Sequence, residues 1–255
     1  MDVYPERFYS TSWQRAARSA RRVVPLVIDY LAPRSVVDVG CGVAAWLEVL
    51  REAGVADVLG VDGPHINTQF LRIPASLFQV HDLSEPLQLP RRFDLAISLE
   101  VAEHLPAAEA GRFVRDLTRL APVVMFSAAV PGQGGTHHVN EQWPDYWAAL
   151  FDANGYVVVD CLRPRIWRDE DVEFFYAQNL LLFVAADALD RYPLLKREEE
   201  RRRGEPLSLV HPTRWLEALD PRRQPLSSLL RNLGVALMYR FGGRSVHRVA
   251  GRPTP

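Results

Sequence analysis

The chain has 255 residues, of which 48% are hydrophobic and 24% are charged, and its formal net charge at pH 7 is −1. This length suits one α/β domain with appendages, and a nearly neutral chain is not, as a whole, an electrostatic binder of nucleic acid. The two cysteines, Cys41 and Cys161, argue against a disulfide framework, and no apolar run approaches the ~20 residues of a membrane span. We therefore expect a cytoplasmic protein without a signal peptide or a transmembrane segment.

Strand and helix patterns alternate along most of the chain. Residues 1–33 are predicted to form a helical cap, with a helix over 12–30 that Pro25 kinks or splits and Pro33 stops. Helices are expected near 44–53, 106–119 and 143–154, and strands near 35–39, 56–61, 76–80, 93–99, 121–128, 156–162 and 179–185. This alternation predicts an α/β fold with a doubly wound, mostly parallel seven-stranded sheet of the Rossmann-like kind, in a domain over 34–189.

The segment 190–255 differs from the rest in charge. It contains fourteen basic and seven acidic residues, so it carries +7 while the rest of the chain carries about −8. A mixed-charge helix is predicted over 196–203, and an amphipathic helix over 227–241 with an apolar face of Leu229, Leu230, Leu233, Leu237 and Phe241. Packing of this helix on the domain, or on a second subunit as in a homodimer, is the favoured interpretation, and docking on an anionic membrane is the alternative.

Residues 35–47 (SVVDVGCGVAAWL) form an apolar strand that runs into a glycine turn, and the turn opens a helix. Asp62 ends the next apolar run. The pattern is typical of a nucleoside-binding crevice, because glycines let backbone N–H groups approach the ligand and the later acid meets ribose hydroxyls. The dinucleotide-binding motif Gly-x-Gly-x-x-Gly allows alanine at its third glycine, the position that Ala45 would occupy. The glycine spacing alone therefore does not exclude NAD. Asp38 argues against NAD, because a carboxylate at the strand end repels a pyrophosphate and suits a cationic ligand.

These motifs resemble those of the class I S-adenosylmethionine (SAM)-dependent methyltransferases, over roughly residues 36–184. Residues 37–42 (VDVGCG) match the first motif of that family, Asp62 its ribose-binding acid, Asp82 its adenine-binding acid and 93–99 its fourth strand. The resemblance implies a SAM site and a last strand pair that forms a hairpin-like edge. It assigns to the cofactor Asp38, Gly40, Cys41, Gly42, Asp62, Gly63, Asp82, Leu83 and Glu100. Ala44 departs from the family, in which a third glycine is frequent, and we expect a slightly tighter turn there.

A second group of polar residues follows the fourth and fifth strands. Glu100, Glu103 and His104 come directly after the fourth strand, and His137 and His138 lie in a loop after the fifth. Because ligands bind at the carboxyl ends of the strands in open α/β sheets, these side chains are expected to converge at the methyl group. If the segment turns helically, Glu100 and Glu103 share one face.

This second group resembles the metal-binding pattern of ubiquinone-biosynthesis O-methyltransferases and small-RNA 3′-end 2′-O-methyltransferases. The resemblance implies a divalent ion, Mg, Mn or Zn, held by Glu100, Glu103, His104 and His138. The other mechanism left open is a histidine that acts alone as general base, with His138, His137 and His104 as candidates. Aromatic residues after the loop either line an acceptor pocket or pack in the core. They are Trp143, Tyr146, Trp147, Trp167, Phe174, Phe175 and Tyr176.

The predicted function is SAM-dependent methylation of a hydroxyl on a small metabolite or sugar. One alternative is an RNA 2′-O-methyltransferase, which the metal-like pattern allows and the negative charge of the core opposes. The other is a SAM-binding protein without catalytic activity. A small-molecule acceptor is the expected partner, and nucleic acid is not.

Overall fold

The computed structural model describes residues 6–223 and 226–241. The strands are β1 (Ser35–Val39), β2 (Asp57–Asp62), β3 (Phe78–Val80), β4 (Leu95–Leu99), β5 (Val123–Ser127), β6 (Tyr156–Val159) and β7 (Leu181–Ala185). The α-helices are α1 (Glu6–Leu31), α2 (Ala45–Glu52), α3 (Ala110–Leu120), α4 (Pro144–Asp152), α5 (Arg163–Ile166), α6 (Phe174–Asn179), α7 (Pro193–Arg202), α8 (Pro212–Leu219) and α9 (Leu226–Phe241).

The strands form one seven-stranded sheet in the order β3-β2-β1-β4-β5-β7-β6. Strands β1 to β5 pair in parallel, whereas β7 is antiparallel to both β5 and β6. The predicted α/β fold and its antiparallel edge are confirmed. Because the order reverses between β1 and β4, the crevice at the carboxyl ends of these two strands is the position at which ligands bind in such sheets.

Helices cover both faces of the sheet. Val36 of β1 and Ile97 of β4 pack in a core layer with α1 and α2. Val37 and Ala96, the alternate residues of the same strands, pack with α3 and α4 on the other side. Burial on both faces explains why these strands are continuous apolar runs. The crevice is thus held between two rigid layers.

Helix α1 is continuous across Pro25, so of the two effects expected for this proline, a kink or a split, the split does not occur. Ala17, Ala20, Val24 and Val27 are almost completely buried in the core layer that α2 shares. This tertiary packing offsets the hydrogen bond that the proline removes from the helix. The helix ends at Leu31, as the stop before Pro33 predicts.

The chain divides into two compact units, residues 1–211 and 212–255. The first unit includes α7, whose Leu195 is completely buried, although charge alone placed the start of the tail at residue 190. The second includes α8 and α9. Residues 1–5 of the predicted cap and 242–255 of the predicted tail lie outside the described residues. Within the described part, the helices are too short or too polar to cross a bilayer.

A buried ion pair stabilises the segment that connects β6 and β7. The Nε and Nη2 atoms of Arg163 donate to Asp160 at 3.0 and 2.7 Å. Its Nη1 atom donates to the carbonyl oxygens of Gln178 and Leu207 at 3.0 and 2.7 Å. Every arm of this guanidinium therefore has an acceptor, which is the condition under which a buried charge is tolerated.

We expect Arg163→Ala to lower the free energy of unfolding by about 3 kcal/mol, because among the described residues it leaves buried Asp160 with Arg202, at 3.4 Å, as its remaining cationic partner. Denaturant titration of the purified variant measures the loss. Arg168→Ala removes an exposed arginine of the same segment and is expected to change stability by less than about 0.5 kcal/mol. Equal losses in the two variants would contradict the role given to Arg163.

Candidate functional site

The turn between β1 and α2 uses backbone conformations that L-residues rarely adopt. The φ angle is +84° at Gly40, +55° at Gly42 and +66° at Ala44. A Cβ atom on Gly40 would overlap the side chain of Val101, so only glycine lets this turn pack against the segment after β4. Ala44 adopts the left-handed conformation in spite of its Cβ atom.

Two buried acids lie beneath this turn. Asp62 closes it, because Oδ2 accepts the Gly42 N–H and Oδ1 accepts the Gly63 N–H, each at 2.6 Å. Burial raises the pKa of Asp38 well above its usual range, and the nearby charge of Asp62 raises it further. Burial also raises the pKa of Asp62, although the two N–H groups favour its charged form. A cationic ligand in the crevice would stabilise both carboxylates.

The end of β3 supplies a third acid at the neighbouring strand end. Asp82 is exposed, and its Oδ1 atom accepts the Ser84 hydroxyl at 2.7 Å and the Ser84 N–H at 3.0 Å. These hydrogen bonds lower the pKa of Asp82, so its carboxylate stays charged. The carbonyl of Leu83 accepts from Arg112 at 2.9 Å. In the turn itself, burial raises the pKa of the Cys41 thiol, which makes it a poor nucleophile.

A cluster of one glutamate and two histidines forms at the same edge of the sheet. Glu103, His104 and His138 each offer one ligand atom, and these atoms lie within 4.8 Å of one another. The N–H groups of Val139 and Asn140 donate to the Glu103 carbonyl at 2.9 and 3.0 Å. These bonds fasten the loop after β5 to the short 3₁₀ helix after β4. We call these three residues the Glu–His–His cluster.

The carboxyl group of Glu103 is completely buried. Among the described residues, neither of its oxygens has a hydrogen-bond partner of normal geometry, although the N–H groups of Glu103 and Ala129 lie close enough to favour the charged form. Burial, with the charge of Glu100, raises the pKa of Glu103 to about 9. A buried carboxyl without partners costs free energy that a bound cation would offset. A carboxylate with two imidazoles is a suitable ligand set for a divalent transition metal.

The two histidines of the cluster are held in different ways. The partial loss of water around the His104 ring and the neighbouring His138 lower the pKa of His104, so the ring is neutral at physiological pH. The Nδ1 atom of His138 lies 3.0 Å from Glu141, whose carboxylate also accepts the Gly132 and Gly134 N–H groups. A carboxylate that contacts one ring nitrogen fixes the orientation of the imidazole, and the other nitrogen is then available to bind a metal or a proton.

His137 lies outside the cluster. It is exposed, and its φ angle of +62° places it in the left-handed region. The structure therefore places His138, and not His137, next to Glu103 and His104, which follow β4.

The sequence profile of the methyltransferase domain family matches residues 13–159. The chain belongs to this family. It is a SAM-dependent methyltransferase. No match was found among curated protein sequences.

Solved structures with a similar fold include DesVI from Streptomyces venezuelae, which is 17% identical with a TM-score of 0.54, over 72% of this chain and 98% of DesVI. They also include the sugar N-methyltransferase KedS8 from Streptoalloteichus sp. ATCC 53650, which is 19% identical with a TM-score of 0.53, over 72% of this chain and 96% of KedS8. At such low identities the likeness concerns the fold.

In this methyltransferase, Glu100 does not join the Glu–His–His cluster. Its φ angle of +55° breaks the expected helical turn, which begins only at Ala102. Its carboxylate instead accepts from Gln133 Nε2 at 2.6 Å and from Asn179 Nδ2 at 3.2 Å. The shared helical face expected for Glu100 and Glu103 is therefore not formed, because the left-handed residue turns the two side chains apart.

The sequence motifs of the methyltransferase do not point to Gln133, Gln178 or Asn179, whose amides hydrogen-bond to one another beside Glu100. A signal for two of them is present nonetheless. Gln178 and Asn179 directly precede β7, which is antiparallel to β5, with Leu181 opposite Phe126. An antiparallel strand begins at the edge where its parallel neighbours end, so polar residues before it reach the site.

Two of the aromatic residues expected near the acceptor, Trp147 and Tyr176, pack in the core instead. Trp147 packs on Phe126 in the core, with ring centroids 5.2 Å apart. Tyr176 is buried against Trp46, whose Nε1 donates to its hydroxyl at 3.4 Å. Burial, with the nearby charges of Glu100 and Asp38, raises the pKa of Tyr176. Tyr176 therefore packs in the core on the α1 side of the sheet.

Proposed function

We propose that this methyltransferase methylates a hydroxyl group of a small metabolite or a sugar. The Glu–His–His cluster, at the carboxyl edge of the sheet and beside the glycine turn, is the observation that carries the proposal. A neutral hydroxyl is a weak nucleophile, so its methylation needs a group that removes its proton or lowers its pKa. His104 lies at the exposed rim of the cluster, which leaves room for an acceptor.

The crevice residues suit SAM, which supplies an electrophilic methyl group from its sulfonium centre. Asp38 and Asp62 provide negative charge in a buried place, as a cationic ligand requires. We assign the ribose hydroxyls to Asp62 and the adenine amino group to Asp82. The complete set proposed for the cofactor is Asp38, Gly40, Cys41, Gly42, Asp62, Gly63, Asp82, Leu83 and Glu100.

We further propose that the Glu–His–His cluster holds a divalent metal. The buried carboxyl of Glu103 without normal partners supports this assignment. A metal bound there supplies Lewis acidity, which lowers the pKa of the acceptor hydroxyl. The two imidazoles favour zinc or manganese over magnesium, which prefers oxygen ligands. Glu100, the fourth ligand implied by the resemblance, is held by amides outside the cluster.

In the alternative mechanism without a metal, His138 is the candidate general base. Its contact with Glu141 stabilises the imidazolium that forms when the ring takes a proton. The chain's other contribution is positioning, because displacement at a methyl group requires the acceptor oxygen, the methyl carbon and the leaving sulfur in line.

An acceptor comparison tests the proposal. The protein is incubated with SAM and with paired acceptors that differ only in a hydroxyl or an amino group at one position, while S-adenosylhomocysteine is quantified. We expect product from hydroxyl acceptors, with a single methyl transferred. Product from the amino acceptors alone would refute O-methylation, and product from a short RNA alone would favour 2′-O-methylation. SAM binding without any product would favour a non-catalytic role.

A further inference from the structure

The second compact unit carries an apolar helical face that is open to solvent. Leu226, Leu230, Leu233 and Leu237 of α9 are between 47% and 71% exposed. Their spacing of three or four residues places them along one side of the helix. Large apolar side chains in such a row mark an interaction surface. We call these four residues the leucine face.

The side of α9 away from the leucine face is mixed, because polar residues share it with Val235 and Met238, which are 43% and 66% exposed. Ser227, Arg231 and Asn232 project away from the leucine face at helical spacing, and all three are exposed. Trp215 of α8, in the same unit, is also 57% exposed. An exposed leucine row and arginines on the same helix, with an exposed tryptophan in the same unit, are features found in helices that lie in a membrane interface.

The charge of this part of the sequence is one-sided. From Leu226 to Pro255 there are five arginines and no acidic residue. This excess would attract the negative surface of an anionic bilayer. It opposes face-to-face pairing of two copies of α9, which would bring like charges together. The described helix has 16 residues and is about 24 Å long, so it is too short to cross a bilayer.

We propose that α9 docks the protein on an anionic lipid surface, with the leucine face in the acyl boundary and the arginines at the headgroups. This docking is independent of the acceptor and of the metal. It would place the methyltransferase next to substrates that are held at, or released from, a membrane.

Vesicle flotation of the full chain tests the proposal. The probes are vesicles of phosphatidylcholine alone and vesicles with equal parts of phosphatidylcholine and phosphatidylglycerol. We expect binding to the second kind, weakened by added salt. Leu233→Glu is expected to weaken it about tenfold or more, because a leucine no longer enters the apolar boundary. Asn232→Glu adds the same charge on the side away from the leucine face and is expected to weaken it less than about threefold.

Three results would overturn the proposal. The first is no binding of the unmodified chain to the anionic vesicles. The second is an equal loss in Leu233→Glu and Asn232→Glu, which would show attraction by charge alone. The third is a dimer in light scattering that Leu233→Glu converts to a monomer, which would assign the leucine face to a second copy. Unchanged SAM affinity and circular dichroism in both variants control for folding.

Discussion

Asp62→Ala is expected to weaken SAM binding roughly a thousandfold. The variant loses two hydrogen bonds to a charged acceptor, from the N–H groups of Gly42 and Gly63, together with the proposed contact to the ribose. Each bond of this kind contributes about 1.5–3 kcal/mol, and the glycine turn also loses the group that ties it to β2. Isothermal titration with SAM measures the change.

Asp57 lies at the other end of β2 and provides the matched control. It is exposed and pairs with Arg91, so Asp57→Ala is expected to change SAM affinity by less than about twofold. Thermal unfolding shows whether Asp62→Ala is folded, and Asp62→Asn, which keeps the shape of the side chain, is titrated alongside it. Wild-type affinity in both Asp62 variants would show that the acid does not hold the cofactor.

Glu103→Gln is expected to lower the rate of methyl transfer about a thousandfold while SAM affinity stays within about twofold. Glutamine has the same shape but cannot become an anion, so it is a much weaker metal ligand. The rate of S-adenosylhomocysteine formation and the metal content of the purified variant are the two measurements. Glu109→Gln, at the partly exposed residue that pairs with Arg112, is the control and should keep both.

His138→Ala separates the two mechanisms. If a metal activates the acceptor, Glu103→Gln and His138→Ala both lose bound metal and activity, and a chelator inhibits the unmodified enzyme. If His138 acts alone as the base, His138→Ala loses activity, whereas Glu103→Gln and the chelator have little effect. Full activity in both variants would remove the Glu–His–His cluster from the reaction.

The sheet could be predicted because its information is local. The central strands are short apolar runs with a turn signal at their ends, and burial on both faces requires such runs. Whether Pro25 splits its helix could not be predicted, because the effect of this proline depends on packing. The sequence shows the missing N–H group, whereas the buried face of α1 that keeps the helix intact is a tertiary contact.

The polar residues that follow β4 and β5 also depend on tertiary contacts that the sequence does not show. These residues are recognisable from their positions after the two strands, but the choice between His137 and His138 depends on the path of the loop. The contact of Glu141 with His138 sets that path in part. The left-handed backbone at Glu100 likewise has no clear signature in residue type, because non-glycine residues adopt it only when their surroundings require it.

The sequence by itself determined the α/β fold, the glycine turn and the acids at the ends of β1, β2 and β3, because these depend on residue types at short spacing. Only the tertiary structure decided that Glu103, and not Glu100, joins the two histidines. The segments that follow β4 and β5 pack together at this point. Their packing buries the Glu103 carboxyl and leaves it without normal hydrogen-bond partners. Burial and hydrogen bonding between distant segments are set by packing, which no local pattern records.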